Sequence, residues 1–158
     1  VLPPAGHHLA EFNLGLLKHD WEDPRVADFV AGLGPVNALA RCSPGFVWMM
    51  GEAEMERAQL DPAGPLGGHP RLASTLSVWQ DVESLEHFVW HTLHKRFYDR
   101  RAEWYDMGHA LRLVLWWVPE GHRPDPAEAM ARFRLLEAQG PSARAFGWAW
   151  LKQRETNP

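Results

Sequence analysis

Apolar and polar residues alternate from His8 to Leu17, and this period of two predicts a strand over residues 8–17. Asp23-Pro24 then has the form of a helix start, a capping carboxylate followed by a proline in the first turn. Val26, Phe29, Val30 and Leu33 follow at i, i+3, i+4 and i+7, one face of that helix. Gly32, Gly34 and Pro35 predict a break, with a second helical piece over 36–41. Ser43-Pro44-Gly45 reads as a turn into a short apolar strand over 46–51. Residues 52–71 contain Asp61-Pro62, Gly64-Pro65 and Gly67-Gly68 and read as a long irregular connection. A third strand is expected over 72–79. A long helix capped by Asp81 is expected to about Asp106, and a fourth strand over 109–118. Asp125-Pro126 with Glu128 repeats the cap-and-proline start of a helix to Gln139, stopped by Gly140-Pro141. Residues 146–150 are aromatic and read as a short strand or an arm.

The order strand, helix, strand, strand, helix, strand, helix places the chain in the α+β class. It predicts a ferredoxin-like, split βαβ arrangement: a four-stranded antiparallel sheet with helices on one face, plus an extra C-terminal helix. Two of the strands are apolar on both faces, with Trp48 on one and Trp116 and Trp117 on the other. A second copy of the sheet is the expected cover for the open face, so a homodimer is the expected assembly.

A length of 158 residues suits one domain, with a core over about 8–118 and a C-terminal helix and arm over 125–150. Hydrophobic residues at 46% and charged residues at 23% describe a folded chain rather than a disordered one. The net charge of −4 offers nothing to nucleic acid or to an anionic membrane. Lys95, Arg96, Arg100 and Arg101 do cluster, but Asp99, Glu103 and Asp106 interleave them as helix pairs. Cys42 is the single cysteine, which excludes an intrachain disulfide and reads as a buried, inert thiol. No run of 18 apolar residues and no signal-like segment is present, and the cytoplasm is the expected location. Nine Trp beside nine His and two Tyr require a very aromatic core or an aromatic pocket.

The expected helix over 81–106 carries the candidate chemistry. On a continuous helix His87, His91 and His94 fall within a sector of roughly 60°, with Tyr98 and Tyr105 beside them. The sector flanks the apolar face made by Val89, Trp90, Leu93, Phe97 and Trp104. Such a stripe is open to three readings: a half-exposed boundary, a set of metal ligands, or a proton-handling pocket. No acidic residue joins it and no HExxH is present, so no metal site is assigned. The chain also lacks a dinucleotide fingerprint, a P-loop and a nucleophile elbow.

Residues 8–13 (HLAEFN), 37–40 (NALA), 43–48 (SPGFVW), 77–79 (SVW) and 115–124 (LWWVPEGHRP) together resemble the DUF3291 family. That family is similar to a branch of the dimeric α/β-barrel superfamily, beside the antibiotic-biosynthesis monooxygenases. The resemblance implies a cofactor-independent monooxygenase or polyketide cyclase acting on a hydrophobic or aromatic substrate between helices and sheet. Haem-degrading members of that superfamily use a first-strand Asn and a His within a motif similar to Ala-His-Lys. Asn13 and Thr92-Leu93-His94-Lys95 match these positions, with Leu in place of Ala. The resemblance therefore implies His94 as general base, with His91 beside it, and Asn13 as oxyanion donor. Trp79, Trp90 and Trp48 would form walls, and His87, Tyr98 and Asn37 would contact the substrate. No cofactor is expected; the alternative is haem, held by His94. A further alternative is a non-catalytic ligand-binding dimer.

Overall fold

The computed structural model describes residues 1–109 and 112–156. Its four strands are β1 (His7–Leu16), β2 (Phe46–Met49), β3 (Leu72–Trp79) and β4 (Arg112–Pro119). They form one antiparallel sheet in the order β2-β3-β1-β4. The expected strand over 109–118 includes residues 110 and 111, which lie outside the described residues.

The helices are α1 (Ala27–Cys42), α2 (Glu52–Leu60), α3 (Val82–His91), α4 (Leu93–Asp99), α5 (Arg101–Trp104), α6 (Pro126–Gln139) and α7 (Trp148–Thr156). Three carboxylates hold the helix starts that their sequence positions predict. Asp23 accepts from the Arg25 N–H at a 3-10 turn before α1, Asp81 from Ser84 before α3, and Asp125 from Glu128 before α6.

Three elements differ from expectation, each for a local reason. Helix α1 runs unbroken through Pro35. Its buried residues Phe29, Gly32, Asn37 and Ala40 supply packing that outweighs the one backbone bond lost at the proline. Helix α2 occupies half of the stretch expected to be irregular, because residues 52–60 hold no Gly or Pro and are mostly strong helix formers. The breakers begin only after it.

The expected helix over 81–106 is three helices. Thr92 adopts an extended backbone at φ −127° and ψ −174°. Its hydroxyl donates to the Phe88 carbonyl at 2.6 Å and accepts from the His94 N–H at 3.3 Å, so it ends α3 and caps α4. The 146–150 segment, expected as a short strand or an arm, is instead a single bridge followed by the start of a helix. Phe146 exchanges two backbone hydrogen bonds with Leu115 on the free edge of β4, and α7 follows.

Both faces of the sheet are covered by this chain. On one face Ala10, Phe12, Leu76, Val78, Val114 and Trp116 pack with Met55 of α2 and with Ala129 and Phe133 of α6. On the other, Leu9, Trp79 and Leu115 pack with Ala40 of α1, with Leu85 and Phe88 of α3, and with Leu151 of α7. The expectation of helices on one face is thus corrected, and the open face from which a homodimer was inferred is filled by α2 and α6. Cys42, expected to be buried, is exposed at the end of α1.

Two of the sequence motifs serve the frame. In residues 115–124, Trp116 Nε1 donates to Glu128 Oε1 at 3.0 Å, and His122 Nε2 meets Glu128 Oε2 at 2.6 Å, tying β4 to the start of α6. In residues 43–48, Gly45 sits at φ +77°, where a Cβ would stand 1.9 Å from the Ser84 hydroxyl.

Candidate functional site

A cavity of about 1010 Å³ is lined by the sheet residues Glu11, Asn13, Thr75 and Ser77 and by residues of α1, α2, α3, α4 and α5, with Trp148 of α7. Ligand pockets span roughly 300–1,000 Å³, so this one is large enough for a substantial organic molecule.

Its polar part is built on the two central strands. The β1–β3 register sets Glu11 opposite Ser77 and Asn13 opposite Thr75, so all four side chains share one face. Glu11 is only 7% exposed. Asn13 Nδ2 donates to Glu11 Oε1 at 2.7 Å, and Ser77 Oγ donates to Glu11 Oε2 at 2.9 Å. Trp79 Nε1 in turn donates to Ser77 Oγ at 3.0 Å, which turns the serine proton toward the carboxylate. Burial pushes the Glu11 carboxyl up from 4.5 to about 7, and its hydrogen bonds from Asn13 and Ser77 pull the other way. Asn13 also donates to Thr75 Oγ1 and accepts from the Thr75 N–H at 3.2 Å.

The opposite wall comes from the broken helix. The Thr92 break places the start of α4 over the cavity, where His94 is half-buried beside Phe88, with ring centroids 4.9 Å apart. His94 Nδ1 lies 3.1 Å from the Val89 carbonyl. A carbonyl only accepts, so the ring proton sits on Nδ1 and the lone pair of Nε2 is left available. Burial lowers the His94 pKa, which favours this neutral form, and the carbonyl bond opposes that shift.

Trp90 packs edge-on to Tyr98 at 4.9 Å and against Trp148 at 6.1 Å. The Arg101 guanidinium lies 4.0 Å over the Tyr98 ring. Phe97 reaches the cavity by crossing Gly32 of α1, where a Cβ would stand 2.1 Å from its ring.

The family model described as "Domain of unknown function (DUF3291)" matches residues 8–157. The chain belongs to the DUF3291 family. No curated protein matches it. Two solved structures are similar at 10% identity. Protein SO0527 from Shewanella oneidensis has a TM-score of 0.48 over 72% of this chain and 92% of its own. The NE2512 protein of unknown function from Nitrosomonas europaea has a TM-score of 0.49 over 77% and 99%.

In this DUF3291 chain Asn13, Asn37, Trp90, His94 and Tyr98 line the cavity, and four other expected site residues do not. His87 and His91 are exposed on α3 with rings stacked 5.9 Å apart, because the helix ends before His94 and the stripe is split. Trp48 packs with the core on the other face of the sheet. Trp79 is fully buried behind Ser77, between Phe46 and Phe88. Asn13 reaches the site, but both of its amide hydrogens are committed to Glu11 and Thr75, so none remains for an oxyanion. Asn37 donates to Glu52 Oε1 at 3.1 Å.

Glu11, Thr75 and Ser77 are the site residues that motif reasoning missed. The signal was a polar series, Glu11, Asn13, Thr75 and Ser77, at alternate positions of two strands apolar enough to be central. Among the described residues no three His, Cys, Asp or Glu side chains gather as a metal site, and no helix is long and apolar enough to cross a membrane.

Proposed function

We propose that this chain is a small-molecule enzyme that moves a proton on a hydrophobic or aromatic substrate held in the cavity. The observation that carries the reading is the pairing, within one aromatic-walled cavity, of His94 with a free Nε2 and a buried Glu11 held by Asn13 and Ser77. His94 is the general base. Its neutral form persists at neutral pH, and its ring is fixed through Val89. The Glu11 end orients a polar group of the substrate. Arg101 and Tyr98 are donors in the wall for a developing enolate oxygen, the role that Asn13 cannot fill.

Deprotonation of an aromatic carbon acid is the first step that cofactor-independent monooxygenases and polyketide cyclases share. The strand order β2-β3-β1-β4 supports kinship with that ferredoxin-like superfamily. The test is solvent exchange. With anthrone or 1-tetralone in D2O, the protein should accelerate loss of the acidic C–H signal, and His94→Gln should reduce that acceleration at least a hundredfold. No acceleration, or the same acceleration with His94→Gln, overturns the reading.

The His94 geometry also favours a second reading, haem binding, since an imidazole tied through Nδ1 to a carbonyl keeps Nε2 available and would hold the haem iron. A saturable Soret shift on haemin titration that His94→Ala removes would support it, and no shift at one equivalent would exclude it.

A further inference from the structure

We propose that the molecule this cavity takes carries a cationic amine, and that Glu11 receives its ammonium. The inference rests on reading the cavity as a ligand site and names the chemistry of what fills it.

Glu11 is a buried carboxyl that no cation among the described residues answers. It sits on a central strand, and both of its hydrogen bonds come from neutral donors, Asn13 and Ser77. No Lys, Arg or His among the described residues pairs with it. A buried charge without a partner is costly, and chains ordinarily replace or pair it. Two accepted bonds also leave a carboxylate with lone pairs unused, and Glu11 borders the cavity, where a ligand's N–H donors can reach them.

The rest of the cavity fits the same guest. Asp20 and Glu22 border it before α1, and Glu52 and Glu56 border it from α2. Asp20 is paired with Arg71 at 2.9 Å, and Glu52 lies 3.8 Å from Arg41; Glu22 and Glu56 have no ion pair among the described residues. Against these carboxylates the lining holds one guanidinium, Arg101, which lies on the Tyr98 ring and donates to the Tyr98 carbonyl at 3.0 Å. His94 is held neutral, and Tyr98 and Tyr105 complete the titratable groups of the wall. These four carboxylates are exposed at the rim, where with Glu11 they outnumber the one guanidinium of the lining, an arrangement that favours a cation over an anion. Trp90 and Phe97 also line the cavity, and aromatic rings are compatible with a cationic guest.

A proton linkage follows with a definite sign. Burial leaves Glu11 partly protonated near pH 7, whereas an ammonium requires it ionised. Binding below pH 7 must expel a proton, so affinity falls toward about tenfold per pH unit below 7 and levels off above it.

The test uses three matched probes, 2-phenylethylamine, 2-phenylethanol and 3-phenylpropanoate, in calorimetry on the whole chain. Displacement of the neutral dye Nile red reports cavity occupancy independently. At pH 8 the amine should bind at least tenfold tighter than the alcohol or the acid, and Glu11→Gln should remove that preference. The wild-type protein should lose about fivefold in amine affinity between pH 7 and pH 6, and about tenfold between pH 8 and pH 6, with proton release seen as a buffer-dependent heat. The last measurement needs no variant, so misfolding of Glu11→Gln cannot mask the answer. Equal or tighter binding of the alcohol or the acid overturns the inference. So does Nile red binding that millimolar amine does not displace, and both results leave the cavity reading intact. Absence of Nile red binding and of all three probes overturns both.

Discussion

Glu11 is a carboxyl that folding buries among neutral groups, and the effect is measurable as stability. A carboxyl whose pKa rises on folding binds more protons in the folded chain than in the unfolded one, so its contribution falls as pH rises. With the pKa raised from 4.5 to about 7, that fall spans this interval: below it both states are protonated, and above it the full penalty is present. The scale is on the order of 3 kcal/mol. Urea denaturation of the wild-type chain should therefore show lower stability at pH 8 than at pH 5, relative to Glu11→Gln, in which that component is absent. Parallel pH profiles of the two proteins would contradict the account. His94 shifts the opposite way: its pKa is lowered, so its contribution is present above the ordinary imidazole range and is lost on acidification through that range.

Elements, rather than residues, decided how much of the site was legible. The strand alternation of residues 8–17 and 72–79 and the three Asp caps were visible because they are local patterns. The break at Thr92 was not, since a threonine inside a helical period carries little signal. It depends on a hydroxyl that both ends one helix and caps the next. That single break decides which histidine enters the cavity: of the stripe read on a continuous helix, His94 lines it, and His87 and His91 lie exposed on α3. Helix α1 offers an opposed pair of tests. Gly32→Ala should destabilise by about 1–3 kcal/mol, because its Cβ would stand 2.1 Å from the Phe97 ring and push α4 from α1. Pro35→Ala, at an exposed position, should stabilise by up to about 3 kcal/mol by restoring a helix bond. Thermal melting reads both, and the same sign for the two would contradict this picture of α1.

At the scale of the whole molecule, apolar strands were the right signal for a sheet covered on both faces, but they do not say whose helices cover it. The answer lies in α2 and α6, one hidden in a stretch whose later Gly and Pro residues dominate its appearance. If α6 is part of the core, Phe133→Ala should cost about 3–5 kcal/mol in urea denaturation, the cost of a large buried ring. A loss under about 1 kcal/mol would mean that the sheet does not depend on this cover. The same enclosure leaves Glu11 and His94 at a cavity whose apolar walls set their protonation. The central claim is that this cavity holds a carboxyl poised near neutrality. Its most direct test is a ¹³C NMR titration of the Glu11 side-chain carboxyl, assigned by comparison with Glu11→Gln. A midpoint near 7 is the predicted result; a midpoint at the ordinary 4.5 would contradict the account.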